Sequence, residues 1–251
     1  MPAALARLFA LILACCLLMP AAALADAGKT AADNAKALRQ RLVKLIPGQA
    51  PDSVQPTPIP GLFQVRYGLK VFYLTGNGRY LIQGQLVDLK DRQNLTDTSL
   101  DKARLSLLDT LPASSFIEYR PKGKARYTIS VFSDVDCPYC RALHAEVPAL
   151  NRKGVAVRYL FFPRSGPDTP SYYTAVSAWC AKDRQTAFTR AMEGKAIPKA
   201  TCANPVKRDF DLGVRFGVEG TPTIVLQNGQ VLPGYLPVDK LMQAIKDASA
   251  S

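Results

Sequence analysis

The 251-residue sequence predicts a layered α/β domain in its C-terminal half, preceded by a smaller α+β unit and a connecting helix. Three observations carry this prediction. From about residue 118, strand-like runs alternate with helical periods, the pattern of an α/β layer fold. Ahead of that, one helical run is followed by short alternating apolar runs around Gly76-Asn77-Gly78, a hairpin signal. Finally, Cys137-Pro138-Tyr139-Cys140 stands at the junction of a strand and a helix, where a reactive dithiol can be built.

The elements follow in order. Residues 1–25 read as a secretory leader. Arg7 supplies its positive start, the apolar run over 8–18 is short for a bilayer span, and Ala23-Leu24-Ala25 sets cleavage after Ala25. A rival reading lipidates Cys15 after Ile12-Leu13-Ala14. The apolar run before Cys15 is very short and apolar residues continue past it, which favours Ala25. Cleavage leaves 226 residues, enough for two modest cores. Arg7 is the one charge removed, so the mature chain carries +11. Its lysines and arginines are scattered, with no cluster and no nucleic-acid motif. The charge therefore reads as solubility and weak attraction to acidic surfaces, with no nucleic-acid partner.

Residues 29–46 are predicted helical, because Ala35, Leu38, Leu42 and Leu45 recur at three- and four-residue spacing and Pro47-Gly48 ends the run. The proline-rich stretch 51–60 excludes regular helix. Strands follow at Phe63, Val65, Tyr67 and at Leu69, Val71, Tyr73. Residues 80–82 lead the return strand, and 85–89 are expected to continue the same sheet. This unit, 26–93, holds no catalytic cluster and reads as structural or associative. Residues 98–111 are predicted as a helix closed by Pro112, the body of a linker over 94–117 whose apolar face needs a partner. In the last domain, 118–251, strands are expected at 126–132, 155–162, 223–226 and 231–232, and helices at 171–192, 205–216 and 238–248.

The dithiol motif carries the chemistry. A proline is tolerated at the first helical position, where its missing N–H costs little. A helix start presents unpaired N–H groups and positive partial charge, so a cysteine there is stabilised as the reactive thiolate. Cys140 lies one turn on. Cys137 therefore reads as the attacking thiol and Cys140 as the resolving one. The plainer alternatives are half of a zinc site or a structural disulfide. Zinc needs four ligands, whereas the chain has a single histidine, His144, and Cys180 and Cys202 form no second knuckle, so no metal is expected. With Cys15 and Cys16 removed in the leader, four cysteines allow three pairings. A local 137–140 pair leaves Cys180 to bond Cys202 as a structural bridge in an exported chain. His144 reads as a packing residue. Asp134 and Asp136 read as strand-end solvation or helix-start charge, and a carboxylate there also raises a neighbouring thiol's pKa. Tyr139, Phe161, Phe162, Tyr172 and Tyr173 read as core or surface aromatics.

The block from Val131 through Cys137-Pro138-Tyr139-Cys140 to His144 resembles the active-site segment of thioredoxin-fold proteins, and Gly220-Thr221-Pro222-Thr223 resembles the segment at their cis-proline. Ala178-Trp179-Cys180-Ala181-Lys182-Asp183-Arg184, the later Cys202 and Val231-Leu232-Pro233-Gly234-Tyr235 resemble the bacterial periplasmic disulfide isomerase family of DsbC and DsbG. The resemblance covers essentially the whole mature chain. It implies a thioredoxin-like catalytic domain with a helical insertion, a dimerisation domain over 26–93, a periplasmic homodimer, and misoxidised or partly unfolded exported proteins as substrates. It implies a membrane reductase of the DsbD type as partner and no organic cofactor, since the electrons travel on sulfur. It also implies a cis Thr221–Pro222 bond, with the Thr221 backbone offered to an extended substrate. Pro138-Tyr139 departs from the Gly-Tyr usual in DsbC and resembles DsbG and glutaredoxins. Isomerisation is therefore set beside two alternatives: a DsbG-like reductase protecting single sulfenylated cysteines of folded proteins, and a non-enzymatic chaperone.

Overall fold

The computed structural model describes residues 21–250, so most of the expected leader, with Cys15 and Cys16, lies outside them. The chain divides into two compact units, one ending at Gly84 and the other starting at Gln85. Among the described residues, no helix is long and apolar enough to cross a membrane.

In the first unit, α1 (Ala21–Leu45) presents Ala35, Leu38 and Leu42 to Phe63, Val65 and Leu74 of an antiparallel sheet. The sheet runs in the order β1 (Ser53–Pro56), β2 (Leu62–Tyr67), β3 (Lys70–Thr75), β4 (Leu81–Ile82). The prolines keep 51–60 out of helix, and its middle becomes the edge strand β1, where a proline is tolerated. The hairpin after β3 is built by Asn77. Its side-chain oxygen accepts from the Thr75 hydroxyl at 2.6 Å and the Arg79 N–H at 3.0 Å, while its carbonyl accepts from Arg41 of α1 at 2.9 Å. Gly78 takes φ 67° there, a conformation that glycine adopts without steric cost.

Residues 85–89 do not continue this sheet. β5 (Val87–Asp88) pairs instead with β6 (Gln93–Asn94) in a separate two-stranded ladder of the second unit. Gly84, at φ 153°, breaks the extended run. The Asp88 carboxylate then accepts the Lys90 and Asp91 N–H groups at 2.9 and 3.3 Å and folds the chain back. The helix expected as a linker, α2 (Leu95–Asp109), belongs to the second unit and begins three residues before the predicted 98, because the Asn94 side chain caps it, accepting from the N–H groups of Thr96 and Asp97 at 3.1 and 3.2 Å.

The main sheet of the second unit has the order β11 (Val231–Pro233), β10 (Thr223–Val225), β8 (Tyr127–Ser133), β9 (Val155–Phe161), β7 (Ile117–Tyr119). β8 and β9 are parallel, and α3 (Pro138–Ala145) and α4 (Val147–Arg152) form the crossover that parallel pairing requires. The other pairs are antiparallel. β7 escaped the sequence reading because three residues are too few to show alternation. α5 (Pro170–Cys180), α6 (Arg184–Met192) and α7 (Val206–Phe216) lie between β9 and β10, and α8 (Val238–Ala250) closes the chain.

The single helix expected over 171–192 is two. Asp183 caps a new start by accepting the Thr186 N–H at 3.0 Å, and Arg184 turns back over the Trp179 ring at 3.7 Å. Two close approaches lock the layers. A Cβ on Gly213 of α7 would stand 2.3 Å from the Phe162 ring, and one on Gly229, at the β10–β11 turn, 2.1 Å from the Asp101 carbonyl of α2. The fully buried Asp209 of α7 accepts the Phe161 N–H at 3.3 Å and Arg208 Nη2 at 2.6 Å, tying α7 to the end of β9.

Candidate active site

The motif sits where β8 ends and α3 begins. Ser133 and Asp134 carry the chain out of the sheet, and Asp134 shapes the turn. Its carbonyl accepts the Cys137 N–H at 3.1 Å, and its Oδ1 accepts the Asp136 N–H at 3.0 Å. Cys137 is the N-cap of α3 and Pro138 follows inside the first turn. The helix start delivers what its geometry promises, since the Cys140 N–H points at Cys137 Sγ, 3.3 Å away. Both cysteines are free thiols and both are buried, whereas Tyr139 between them is 65% exposed.

Thr221 reaches this pair through the sheet. Thr223 of β10 is paired with Phe132 of β8, which brings the preceding Thr221–Pro222 step to the end of β8. That peptide bond is cis. The Pro222 carbonyl accepts the Gly234 N–H at 2.8 Å, so the Pro233-Gly234 segment holds the loop in place. The Cys137 thiol donates to the Thr221 carbonyl at 3.1 Å. The Thr221 hydroxyl and the Ser133 hydroxyl are buried beside the sulfurs without other partners.

The two sulfurs are driven apart in acidity. Burial opposes ionisation of Cys137. The Thr221 side chain, the N–H and thiol of Cys140 and the Arg164 guanidinium outweigh it and hold Cys137 below the ordinary thiol value. Cys140 is pushed up to about 12 by burial, against hydrogen bonds from Thr221, the Asp134 backbone and Ser133. One thiol is thus disposed to ionise at the helix start, and its partner one turn on keeps its proton.

Arg164 was not singled out in the sequence. The buried Asp134 carboxylate anchors it, with Oδ2 accepting both the Arg164 N–H and Nε at 3.0 Å, while Nη2 reaches the Asp136 carbonyl at 3.3 Å. Asp134 therefore serves as a turn former and as the anchor of a cation beside Cys137. Asp136 stays exposed. The signal for Arg164 lay in the short loop after β9, which returns the chain to the end of β8.

His144, on the turn after Cys140, is buried in a polar chain. Tyr119 gives its proton to the Gln185 carbonyl at 2.8 Å, so Thr189 donates to Tyr119 at 2.8 Å. His144 Nε2–H then donates to Thr189 at 3.0 Å, and Nδ1 accepts from the Tyr159 hydroxyl at 3.0 Å. Every proton has one destination, which fixes the neutral tautomer. Burial lowers the His144 pKa to about 4. The histidine packs, as expected, and also joins α3 to β9 and α6. Of the aromatics singled out, Phe161 and Phe162 are core, while Tyr139 and Tyr173 face solvent.

Cys180 and Cys202 form a disulfide across 22 residues, with Cα atoms 5.6 Å apart, joining the end of α5 to the loop before α7. Among the described residues, no group of three or more His, Cys, Asp and Glu side chains is placed to hold a metal ion.

The chain is similar to known proteins along most of its length. Residues 113–249 match the thioredoxin-like domain family, and residues 28–97 match the disulfide bond isomerase protein N-terminal domain. The chain is 35% identical over 223 residues to the thiol:disulfide interchange protein DsbC of Escherichia coli, covering 89% of this chain and 92% of that one. It is 39% identical over 208 residues to DsbC of Salmonella typhimurium, covering 83% and 85%. Among solved structures, a disulfide interchange protein from Neisseria gonorrhoeae superposes with a TM-score of 0.50 at 32% identity, covering 55% of this chain and 98% of that one. A free dithiol at a helix start, a thioredoxin-like domain around it and relatedness along nearly the whole chain place the protein in the DsbC family of thiol:disulfide interchange proteins, as a thiol–disulfide oxidoreductase and isomerase.

Proposed function

We propose that the protein is a periplasmic homodimer that isomerises non-native disulfides of exported proteins, with Cys137 as nucleophile and Cys140 as resolving thiol. The observation that carries this reading is the divergence of the two sulfurs, Cys137 held low and Cys140 high. The Cys137 thiolate attacks a substrate disulfide, forms a mixed disulfide and releases one substrate thiolate. If that thiolate attacks elsewhere in the substrate, the disulfides are reshuffled and Cys137 is regenerated. If Cys140 attacks Cys137 Sγ first, the substrate leaves reduced and a Cys137–Cys140 disulfide remains. The high pKa of Cys140 delays that second attack and favours reshuffling. The Thr221 backbone at the cis Pro222 offers an extended substrate strand-like hydrogen bonds.

Oxidation of the dithiol has to be reversed, which calls for an electron donor of the DsbD type. The dimer reading is supported by β4, an outer strand whose Leu81 and Ile82 are 57% and 50% exposed beside an exposed Tyr80. An unpaired apolar edge of this kind is a template for a second strand. Pro138 favours a second reading, a reductase for single cysteines of folded proteins.

The test is reactivation of scrambled, fully oxidised ribonuclease by the mature protein in glutathione buffer. Rapid reactivation is the expected result. No reactivation, with Cys137 still reacting rapidly with small disulfides, supports the reductase. Sedimentation at micromolar concentration should give a dimer that Ile82→Arg dissociates, and a monomeric parent overturns the assembly.

A further inference from the structure

A cavity of about 670 Å³ opens at Asp136 and Arg141, the residues that bracket Cys137–Cys140 in sequence, and is not used by the steps above. It lies between the start of α3, one side of α5, and the end of α6 with the loop that runs on towards Cys202. Its size falls in the range of small-ligand sites, enough for one or two peptide residues. Val176 gives it a buried apolar floor, and Tyr173 stands exposed at its edge. Its charges are unbalanced. Arg141, Lys195 and Lys199 line it against a single lining carboxylate, Asp136, the residue immediately before Cys137.

Arg141 is built in. Its Nε donates to the Val135 carbonyl at 2.9 Å, and Nη2 lies 3.5 Å from Asp136 Oδ1. Its Nη1 faces Gly194, which sits at φ 75° and has no side chain to cover it. A Cβ there would stand 3.3 Å from that nitrogen. Lys195 pairs with Glu193 at 2.7 Å, whereas Lys199 has no carboxylate within ion-pair distance among the described residues. A planar guanidinium held in one orientation, with N–H donors towards Gly194 and an ammonium lining the same cavity, is the donor set that a carboxylate takes.

We propose that this cavity is a subsite for a carboxylate-bearing flank of the disulfide partner that Cys137 attacks. The proposal rests on the exchange reading above and names the chemistry of the partner it prefers. In the selected step, the Cys137 thiolate forms a bond to the near sulfur of the partner and the partner's S–S bond breaks. The far sulfur leaves with the electron pair as a thiolate. The carboxylate on the near half then lies in the cavity while the mixed disulfide lasts.

Small disulfides of similar length test this: 3,3′-dithiodipropionate (anionic), bis(2-hydroxyethyl) disulfide (neutral) and cystamine (cationic). Their leaving thiols differ in pKa, so the readout is the ratio of second-order rates, anionic over cationic, in each variant against the parent. Lys195→Glu with Lys199→Glu should lower that ratio roughly tenfold, the size expected of reversing two solvent-exposed charges. The neutral disulfide should react at the parent rate, which reports an intact fold and dithiol. Lys102→Glu with Lys246→Glu changes the net charge equally at exposed positions outside the cavity and should leave the ratio unchanged. An unchanged ratio in the first pair, or an equal fall in the second, overturns the subsite. No reaction of the parent with even the neutral disulfide overturns the exchange reading itself, and the subsite with it.

Discussion

The two cysteine pairs of this chain sit at opposite ends of helices. Cys137 caps the start of α3, and Cys180 is the last residue of α5. At a helix start, unpaired N–H groups and the positive end of the dipole meet the sulfur and favour its anion. At a helix end, unpaired carbonyls and the negative end face it, and no such stabilisation exists. The first pair is therefore divided by its surroundings into one acidic and one reluctant thiol. The second is joined into a bond that ties a helix end to a loop 22 residues away. A cysteine's role here follows from the backbone it terminates, more than from its partner's distance along the chain.

The sharpest way to break this comparison is to disable each pair in turn. Cys137→Ser should reduce disulfide exchange to the rate of protein-free buffer and leave the unfolding midpoint near the parent value. The double change Cys180→Ser, Cys202→Ser should do the reverse. It removes a closed loop whose constraint contributes about 3 kcal/mol, read as a lower midpoint in urea, with iodoacetamide trapping of Cys137 within about twofold of the parent. A loss of Cys137 reactivity in the double variant without loss of stability would contradict the division of roles.

A finer test asks how much of the acidity of Cys137 comes from the helix start and how much from Arg164. Arg164→Gln removes a cation that lowers the Cys137 pKa and leaves the cap in place. Thiolate absorbance at 240 nm should then titrate at higher pH, and alkylation at pH 7 should slow. Arg164→Lys should restore part of the shift, since an ammonium supplies the charge without the two-point hold on Asp134 and Asp136. An unchanged titration assigns the acidity to the helix start and Thr221 alone.

What the sequence disclosed follows the same lines. The dithiol and the bridge were legible because local spacing and cysteine arithmetic suffice for them. The helix over 29–46 and the strands around Gly76-Asn77-Gly78 were legible from periodicity. Arg164 was not, because its link to Asp134 spans 30 residues and exists only once β9 lies beside β8. The chain from Tyr159 through His144 and Thr189 to Tyr119 was not, because four elements supply one residue each. Residues 85–89 have strand character that was read correctly, but pairing is a long-range choice, and Gly84 with Asp88 sent them elsewhere. The break after Cys180 was signalled by Lys182-Asp183, a polar cap inside a helical run.

The smallest net effect in the parent concerns two buried titratable groups outside the dithiol, because their pH slopes oppose each other. His144 has a pKa of about 4 in the fold against 6.5 unfolded, so the stability it confers is complete above pH 6.5 and is lost as pH falls towards 4. Asp209 is raised by burial to about 6 from 3.8, so its contribution is complete below pH 3.8 and is lost as pH rises towards 6. Each shift is worth on the order of 3 kcal/mol, and the signs are opposite. Between pH 4 and 6 the two oppose each other, so the parent's midpoint in urea should change less with pH than that of either single variant. His144→Gln leaves the Asp209 slope exposed, so stability should fall as pH rises across that window. Asp209→Asn leaves the His144 slope, so stability should rise with pH. Parallel slopes in both variants would mean that neither group titrates in the fold where its burial places it. Asp209 is not among the groups that set the acidity of either cysteine, so Asp209→Asn should leave the alkylation rate of Cys137 unchanged. His144 is one turn from Cys140, so His144→Gln should shift the closing of the Cys137–Cys140 disulfide more than the first attack.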